Sequence, residues 1–265
     1  EGVQTPTVFL TYVEKVKLAK MLDEMGVSFI TVGFPALSEE EKNDVRRIAN
    51  EGFQQARLAA SARIIKSDID ACLECGIREI MIFTPFNGLN LKYRLKMTKE
   101  QVLEKTVESI QHTKEHGATA NFVLEDASRT SLEDILQIFE TAVKAGADQL
   151  VIADTVGFLR PLSMRYFTSH VKQGLSQRIS KEVPLSIHCH NDFGLATANT
   201  LAAVEEGITY VHVCVAGFGE RAGVAPLEEV VAALELLYNI DTGLDMKKLY
   251  RLSQLAEKSF ALPIQ

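Results

Sequence analysis

From residue 12 to the end of the chain, stretches in which apolar residues recur with a helical period alternate with short, nearly continuous apolar runs. The runs predict strands at 28–34, 56–61, 79–84, 118–124, 148–154, 184–190 and 210–216. The periodic stretches predict helices at about 12–25, 39–51, 67–75, 98–116, 131–145, 161–178, 193–206 and 226–238, with another near 245–258. Gly26, Gly76, Gly117, Gly146 and Gly207 follow helices, where a left-handed cap turns the chain toward the next strand. Such alternation predicts βα units around a parallel sheet. Seven strands with eight helices, helix first, leave a closed barrel one strand short. The expectation is an α/β fold, a (β/α)8 TIM barrel filling residues 1–265 as one domain, with its first strand upstream of residue 1. An open, doubly wound seven-stranded sheet is the alternative.

Alternation within the strands sorts side chains between helices and barrel axis. In 184–190, Leu185, Ile187 and Cys189 face the helices while Ser186, His188 and His190 point inward. In 118–124, Ala120, Phe122 and Leu124 pack outward, leaving Thr119, Asn121 and Glu125 for the axis. In 210–216 the three valines point out and His212 points in, as an interior histidine with satisfied partners. Arg63, Glu125, Asp154, Thr155, His188 and His190 all fall at carboxyl ends of strands, where barrel enzymes build their sites.

Composition narrows the partners. A chain of 265 residues that is 46% hydrophobic can bury one large core, and a formal charge of −7 without any basic run argues against nucleic acid. The longest apolar run is too short to cross a membrane, and the first residues lack the blocks of a signal peptide, so a cytoplasmic protein with no membrane partner is expected. Cys72 and Cys75 form a lone CxxC inside a helix and read as ordinary helix residues. His112 and His116 share the spacing of a helical metal pair but lie opposite the face carrying Leu103, Val107 and Ile110, so both are expected in solvent.

The most specific local signal is His188-Cys189-His190. Two histidines two residues apart on a strand put both imidazoles on one face, roughly 6 to 7 Å apart at the backbone, within reach of one ion. Two core histidines would give the same spacing. A divalent ion that keeps positions open for substrate usually has a carboxylate as third ligand. Glu1 is a candidate for that place; the other reading of Glu1 is a solvated side chain.

The stretches HCHNDFGLATANTLAAVEEG (188–207), GFGERAGVAPLEEV (217–230), ADTVGF (153–158), LEDASR (124–129) and EGVQTP (1–6) resemble the 2-isopropylmalate and homocitrate synthase family. More distantly they are similar to citramalate synthases and 3-hydroxy-3-methylglutaryl-CoA lyases. The resemblance runs along essentially the whole chain. It implies a divalent metal ion (Mg, Mn or Zn) held by residues matching Glu1, His188 and His190. An arginine on the first strand would immediately precede Glu1. By the same resemblance Glu125 matches a catalytic glutamate, Gln4 a glutamine near the metal, Thr155 a threonine that binds the oxo-acid carboxylate, and Arg63 an inward arginine. Asn90 stands where isopropylmalate synthases carry a substrate-side histidine. Other departures are Thr31 for a glutamate, Val123 for a serine and Val224 for an asparagine; these positions bear on which oxo acid is used.

The activity implied is acyltransferase chemistry of amino-acid biosynthesis: acetyl-CoA, as co-substrate, condenses with a 2-oxo acid in a homodimeric enzyme. Lid and regulatory regions beyond the barrel are expected outside the chain. The alternative is a C–C lyase or decarboxylase of the same superfamily using the same metal site. No phosphate-binding glycine motif or GxSxG nucleophile turn is present.

Overall fold

The computed structural model describes residues 1–264; Gln265 lies outside the described residues. Seven parallel strands run in sequence order across one sheet: β1 (Phe29–Thr31), β2 (Arg57–Arg63), β3 (Glu79–Pro85), β4 (Thr119–Glu125), β5 (Gln149–Asp154), β6 (Leu185–Cys189) and β7 (Tyr210–His212). Nine α-helices are found among the described residues: α1 (Tyr12–Met25), α2 (Glu39–Ala49), α3 (Lys66–Glu74), α4 (Lys99–Glu115), α5 (Leu132–Ala145), α6 (Pro161–Arg178), α7 (Ala196–Glu205), α8 (Leu227–Leu236) and α9 (Leu249–Phe260). None is long and apolar enough to cross a membrane.

The helices begin and end where local chemistry says they must. Thr11 and Glu14 close a capping box on α1, and Thr98 and Gln101 close another on α4, each satisfying backbone N–H groups that the first turn leaves unpaired. Gly26 and Gly146 end α1 and α5 in the left-handed region, at φ 99° and 108°.

Outward-facing strand residues and the helices make the main core. Phe122 on β4 meets Phe139 on α5 edge to face at 5.8–6.2 Å class separation typical of such pairs, with ring centroids 6.2 Å apart. Ile80, Ile82, Ile152 and Ile187 are fully buried in the same cluster. Each such side chain contributes about 1.5–3 kcal/mol by leaving water. On the inner side, polar groups pair across strands: Gln149 Nε2 donates to Ser186 Oγ at 2.6 Å, and Asn121 Nδ2 to Glu79 Oε2 at 3.2 Å. The inward polar residues are thereby satisfied, as burial requires.

The parallel, curled arrangement agrees with the barrel class, and seven of the expected eight strands are present among the described residues. Two strands are shorter than their apolar runs predict. β1 and β7 are the edges, each paired on one side only over three residues. Past His212 the chain leaves the ladder, Ala216 takes φ 53°, and Val215–Gly217 forms a 3-10 turn. The curl brings the edges toward each other, with Phe29 and Tyr210 ring centroids 5.8 Å apart. One surface expectation also changes: His112 is half-buried, its Nε2 2.6 Å from Asp70 Oδ1 on α3, whereas His116 is exposed. The CxxC residues are buried free thiols, as expected of helix-packing cysteines.

Candidate active site

At the carboxyl ends of the strands a cavity of about 1170 Å³ opens, and Glu1, Glu125, Thr155, His188 and His190 all line it. His188 belongs to β6, and His190 directly follows that strand with its N–H on Asp154 O at 3.2 Å. Their Nε2 atoms face each other at 3.2 Å, and Glu1 Oε2 stands 3.9 Å from His188 Nε2. One donor atom from each of the three residues lies within 4.8 Å of the other two. Groups each about 2 Å from a shared divalent ion take up this spacing.

The electrostatics suit an ion. Burial pushes the His188 imidazole down to about 3 despite the pull of the Glu1 carboxylate, so its ring is neutral and keeps a lone pair at neutral pH. Burial also depresses His190. Burial raises the Glu1 carboxyl, but the neighbouring His188 and the backbone N–H of Glu220 help hold it below the usual range. Two neutral imidazoles and one carboxylate form a donor set that a divalent cation of borderline hardness accepts. His190 Nδ1 is buried and has no protein partner.

The loop after β7 closes one side. Glu220 N–H donates to Glu1 Oε1 at 3.1 Å, which fixes the carboxylate and leaves Oε2 turned to the histidines. Arg221, in the left-handed region at φ 58°, anchors this loop. Its Nε and Nη2 donate to the two Asp192 oxygens at 2.8 and 2.9 Å, and Nη2 also donates to Thr155 O. Gly219 and Gly223 permit the close approach: a Cβ on Gly219 would stand 3.0 Å from Glu1 Oε1, and one on Gly223 would stand 1.9 Å from Gly217 O.

On the far wall, Glu125 Oε1 accepts from Arg94 Nη1, while Oε2 is buried without a hydrogen-bond partner. Thr155 Oγ1 accepts the Asp126 N–H at 2.8 Å, which leaves its own proton free to donate. Gln4 lies on the cavity wall in the short turn Gly2–Gln4. Two expected site residues do not reach the cavity. Arg63 gives Nε and Nη2 to Asp68 on α3, at 2.6 and 3.0 Å. Asn90 spends its amide on Asn87 Oδ1 at 3.2 Å and Asp126 Oδ2 at 2.9 Å.

Arg94, Asp192 and Arg221 are the site residues that reading the sequence did not single out. All three sit in or beside motif stretches (YRLKM, HND, GER), but their partners are distant in the chain and spacing does not reveal them. His212 lies beside the pair, with its ring centroid 5.7 Å from that of His188. Burial pushes it down to about 4.

Comparison with known proteins agrees with this arrangement. The HMGL-like family model matches residues 1–256. The probable 2-isopropylmalate synthase of Methanopyrus kandleri is 43% identical over 97% of this chain and 50% of its own length. The homocitrate synthase AksA of the same organism is 41% identical over 96% of the chain and 62% of its own length. The chain thus spans between about half and about two thirds of these relatives. Among solved structures, an HMG-CoA lyase from Bacillus subtilis superposes with a TM-score of 0.86 at 21% identity, over 99% of this chain and 91% of that one, a likeness of fold.

Proposed function

The chain belongs to the HMGL-like family, and from that premise we propose that it condenses acetyl-CoA with a 2-oxo acid at a divalent metal ion. The observation that carries the reading is the convergence of Glu1, His188 and His190 on one point of the cavity at the strand ends. In the proposed reaction the methyl carbon of acetyl-CoA loses a proton and joins the carbonyl carbon of the oxo acid. Hydrolysis of the thioester then releases free CoA and a 2-hydroxy diacid or tricarboxylate.

Glu1 Oε2 and the two Nε2 atoms would hold the ion, which when bound polarises a substrate carbonyl as a Lewis acid. The protein's own groups do the rest. Thr155 Oγ1, oriented by the Asp126 N–H, donates its proton to a carboxylate oxygen of the oxo acid. Gln4, on the same wall, offers its amide to the substrate. Glu125 Oε2 is the oxygen available to accept a hydrogen bond or a proton during enolisation, and Glu125 is the assigned catalytic residue. Arg63 and Asn90 are bound within the protein and, in this reading, support the cavity from behind.

The donor set also makes the reaction direct to test. The chain is stripped of metal, reloaded with Mg, Mn or Zn, and incubated with acetyl-CoA and each of pyruvate, 2-oxoisovalerate and 2-oxoglutarate, with free thiol and product mass as readouts. Condensation predicts thiol release with one acceptor and a product heavier than that acceptor by an acetyl group plus water. No release above the hydrolysis background with any acceptor, or cleavage of a 3-hydroxyacyl-CoA in its place, sinks the proposal.

A further inference from the structure

The wall opposite the metal-ligand cluster carries two cationic side chains, Arg94 and Arg221. Arg221 is engaged by the carboxylate of Asp192 through two of its nitrogens. Arg94 differs: it is half-exposed, and a single nitrogen, Nη1, meets Glu125 Oε1. It sits on a π-helical turn, Asn90–Leu95, a rare geometry that concentrates at functional sites.

That turn is tied at both ends to consecutive residues beyond β4. At one end Asn90 Nδ2 donates to Asp126 Oδ2. At the other, Arg94 reaches Glu125. Asp126 is a rigid anchor, buried, in the left-handed region at φ 58°, and it also accepts from Asn87 Nδ2 at 2.6 Å and from Arg129 Nε at 2.8 Å. Its N–H in turn orients Thr155. The π-turn, Glu125 and Thr155 therefore share one support.

We propose that Arg94 is a positioning residue for Glu125: it occupies Oε1 and thereby presents Oε2 to the cavity. The inference rests on the condensation reading above. A carboxylate rotates readily about its last torsion, a broad two-fold well. With Oε1 held by a guanidinium, that rotation is stopped with Oε2 aimed at the reacting carbon. A buried acceptor left without a partner costs about 1–3 kcal/mol, so an orphaned Oε2 marks the atom whose partner is a ligand. Because one nitrogen makes the contact, a lysine ammonium can replace it, although it would fail in a two-nitrogen fork.

The experiment is a double-mutant cycle in the metal-loaded protein. Arg94→Met should lower kcat by about 10- to 100-fold, the loss that misplacement by about 1 Å brings, with KM for the oxo acid moved less than about twofold and Arg94→Lys restoring most of the rate. In a Glu125→Gln background, Arg94→Met should change kcat by less than about twofold, because the two residues act as one unit. Independently of activity, the Arg94 guanidinium should give a slowly exchanging nitrogen NMR signal that disappears in Glu125→Gln. Equal losses in both backgrounds, a change confined to KM, or an unaltered guanidinium signal would overturn the assignment while leaving condensation standing. A wild-type protein that turns over no oxo acid takes both proposals down together.

Discussion

His188 and His190 bring their Nε2 atoms to 3.2 Å of each other, although their backbone positions, one strand repeat apart, are separated by roughly 6 to 7 Å. Both rings tilt toward a common point, and burial keeps both neutral at neutral pH. Two facing nitrogens of neutral rings can share one proton, but a single cation satisfies both lone pairs at once. Glu1 supplies the negative charge that makes such an ion tolerable in a buried place.

One divalent ion per chain should therefore bind, with a measurable effect on stability. At an ion concentration 100 times its dissociation constant, about 2.7 kcal/mol is added. For a chain of this size that raises the melting temperature by roughly 5–10 °C over the chelated protein. His190→Ala should lower ion affinity by at least about 100-fold and abolish the rise. Titration calorimetry and thermal melts with and without chelator measure both; a rise that survives His190→Ala would place the ion elsewhere.

Asp23 gives the fold a pH-dependent tie. Its carboxylate accepts the backbone N–H groups of Gln54, Gln55 and Ala56 at 2.7–2.8 Å, joining α1 to the entry of β2. Burial raises this carboxyl, but the three donors outweigh it and hold it below the usual aspartate value. The unfolded chain thus takes up this proton at a higher pH than the native one does. The tie is fully present above about pH 5 and is lost as the pH falls below about 4. Asp23→Asn should cost about 1–3 kcal/mol at pH 7 and clearly less at pH 3, read from urea unfolding. A gap of equal size at both pH values would remove the tie.

The positions of the strands and helices were legible because outward apolar residues and capping residues are local signals. The predicted 12–25 and 161–178 match α1 and α6. The edges were not legible: Val32 and Val213 look like strand residues by composition, but β1 and β7 each have a single neighbour and stop at Thr31 and His212. The π-turn gave no periodic signal. In the site, Glu1, His188 and His190 could be named because their residue types match the chemistry, and the structure brings these three together. Arg63 and Asn90 were placed by resemblance and inward alternation. Neither shows that Asp68 and Asp126 stand within hydrogen-bond reach of them.

The CxxC pair should be chemically quiet. Cys72 Sγ donates to Ser61 O at 3.4 Å and Cys75 Sγ to Lys42 O at 3.3 Å, so the two thiols point to different partners. Burial pushes Cys72 up to about 12 and raises Cys75 as well. Neither is a thiolate at neutral pH. A thiol reagent at pH 8 should leave both unmodified for as long as the protein stays folded and reach both in denaturant. Rapid native labelling at either position, located by peptide mass, would contradict this account.

Two glycines of similar backbone separate the cost of conformation from the cost of contact. Gly52 has φ 68°, and a Cβ there would meet nothing within 4 Å. Gly223 has φ 82°, and a Cβ there would stand 1.9 Å from Gly217 O, across the loop that places Glu220 on Glu1. Gly52→Ala should therefore cost only the left-handed strain, about 1–2 kcal/mol. Gly223→Ala adds a clash with backbone, which cannot move aside as a flexible side chain would, and should cost about 2–4 kcal/mol in denaturant unfolding. Because the displaced loop carries the Glu220 N–H away from Glu1 Oε1, Gly223→Ala should also weaken ion binding by about 10-fold, while Gly52→Ala leaves it unchanged. If both variants lose the same stability and bind the ion equally well, the loop after β7 does not set the Glu1 carboxylate, and the ion must be held by the histidines alone.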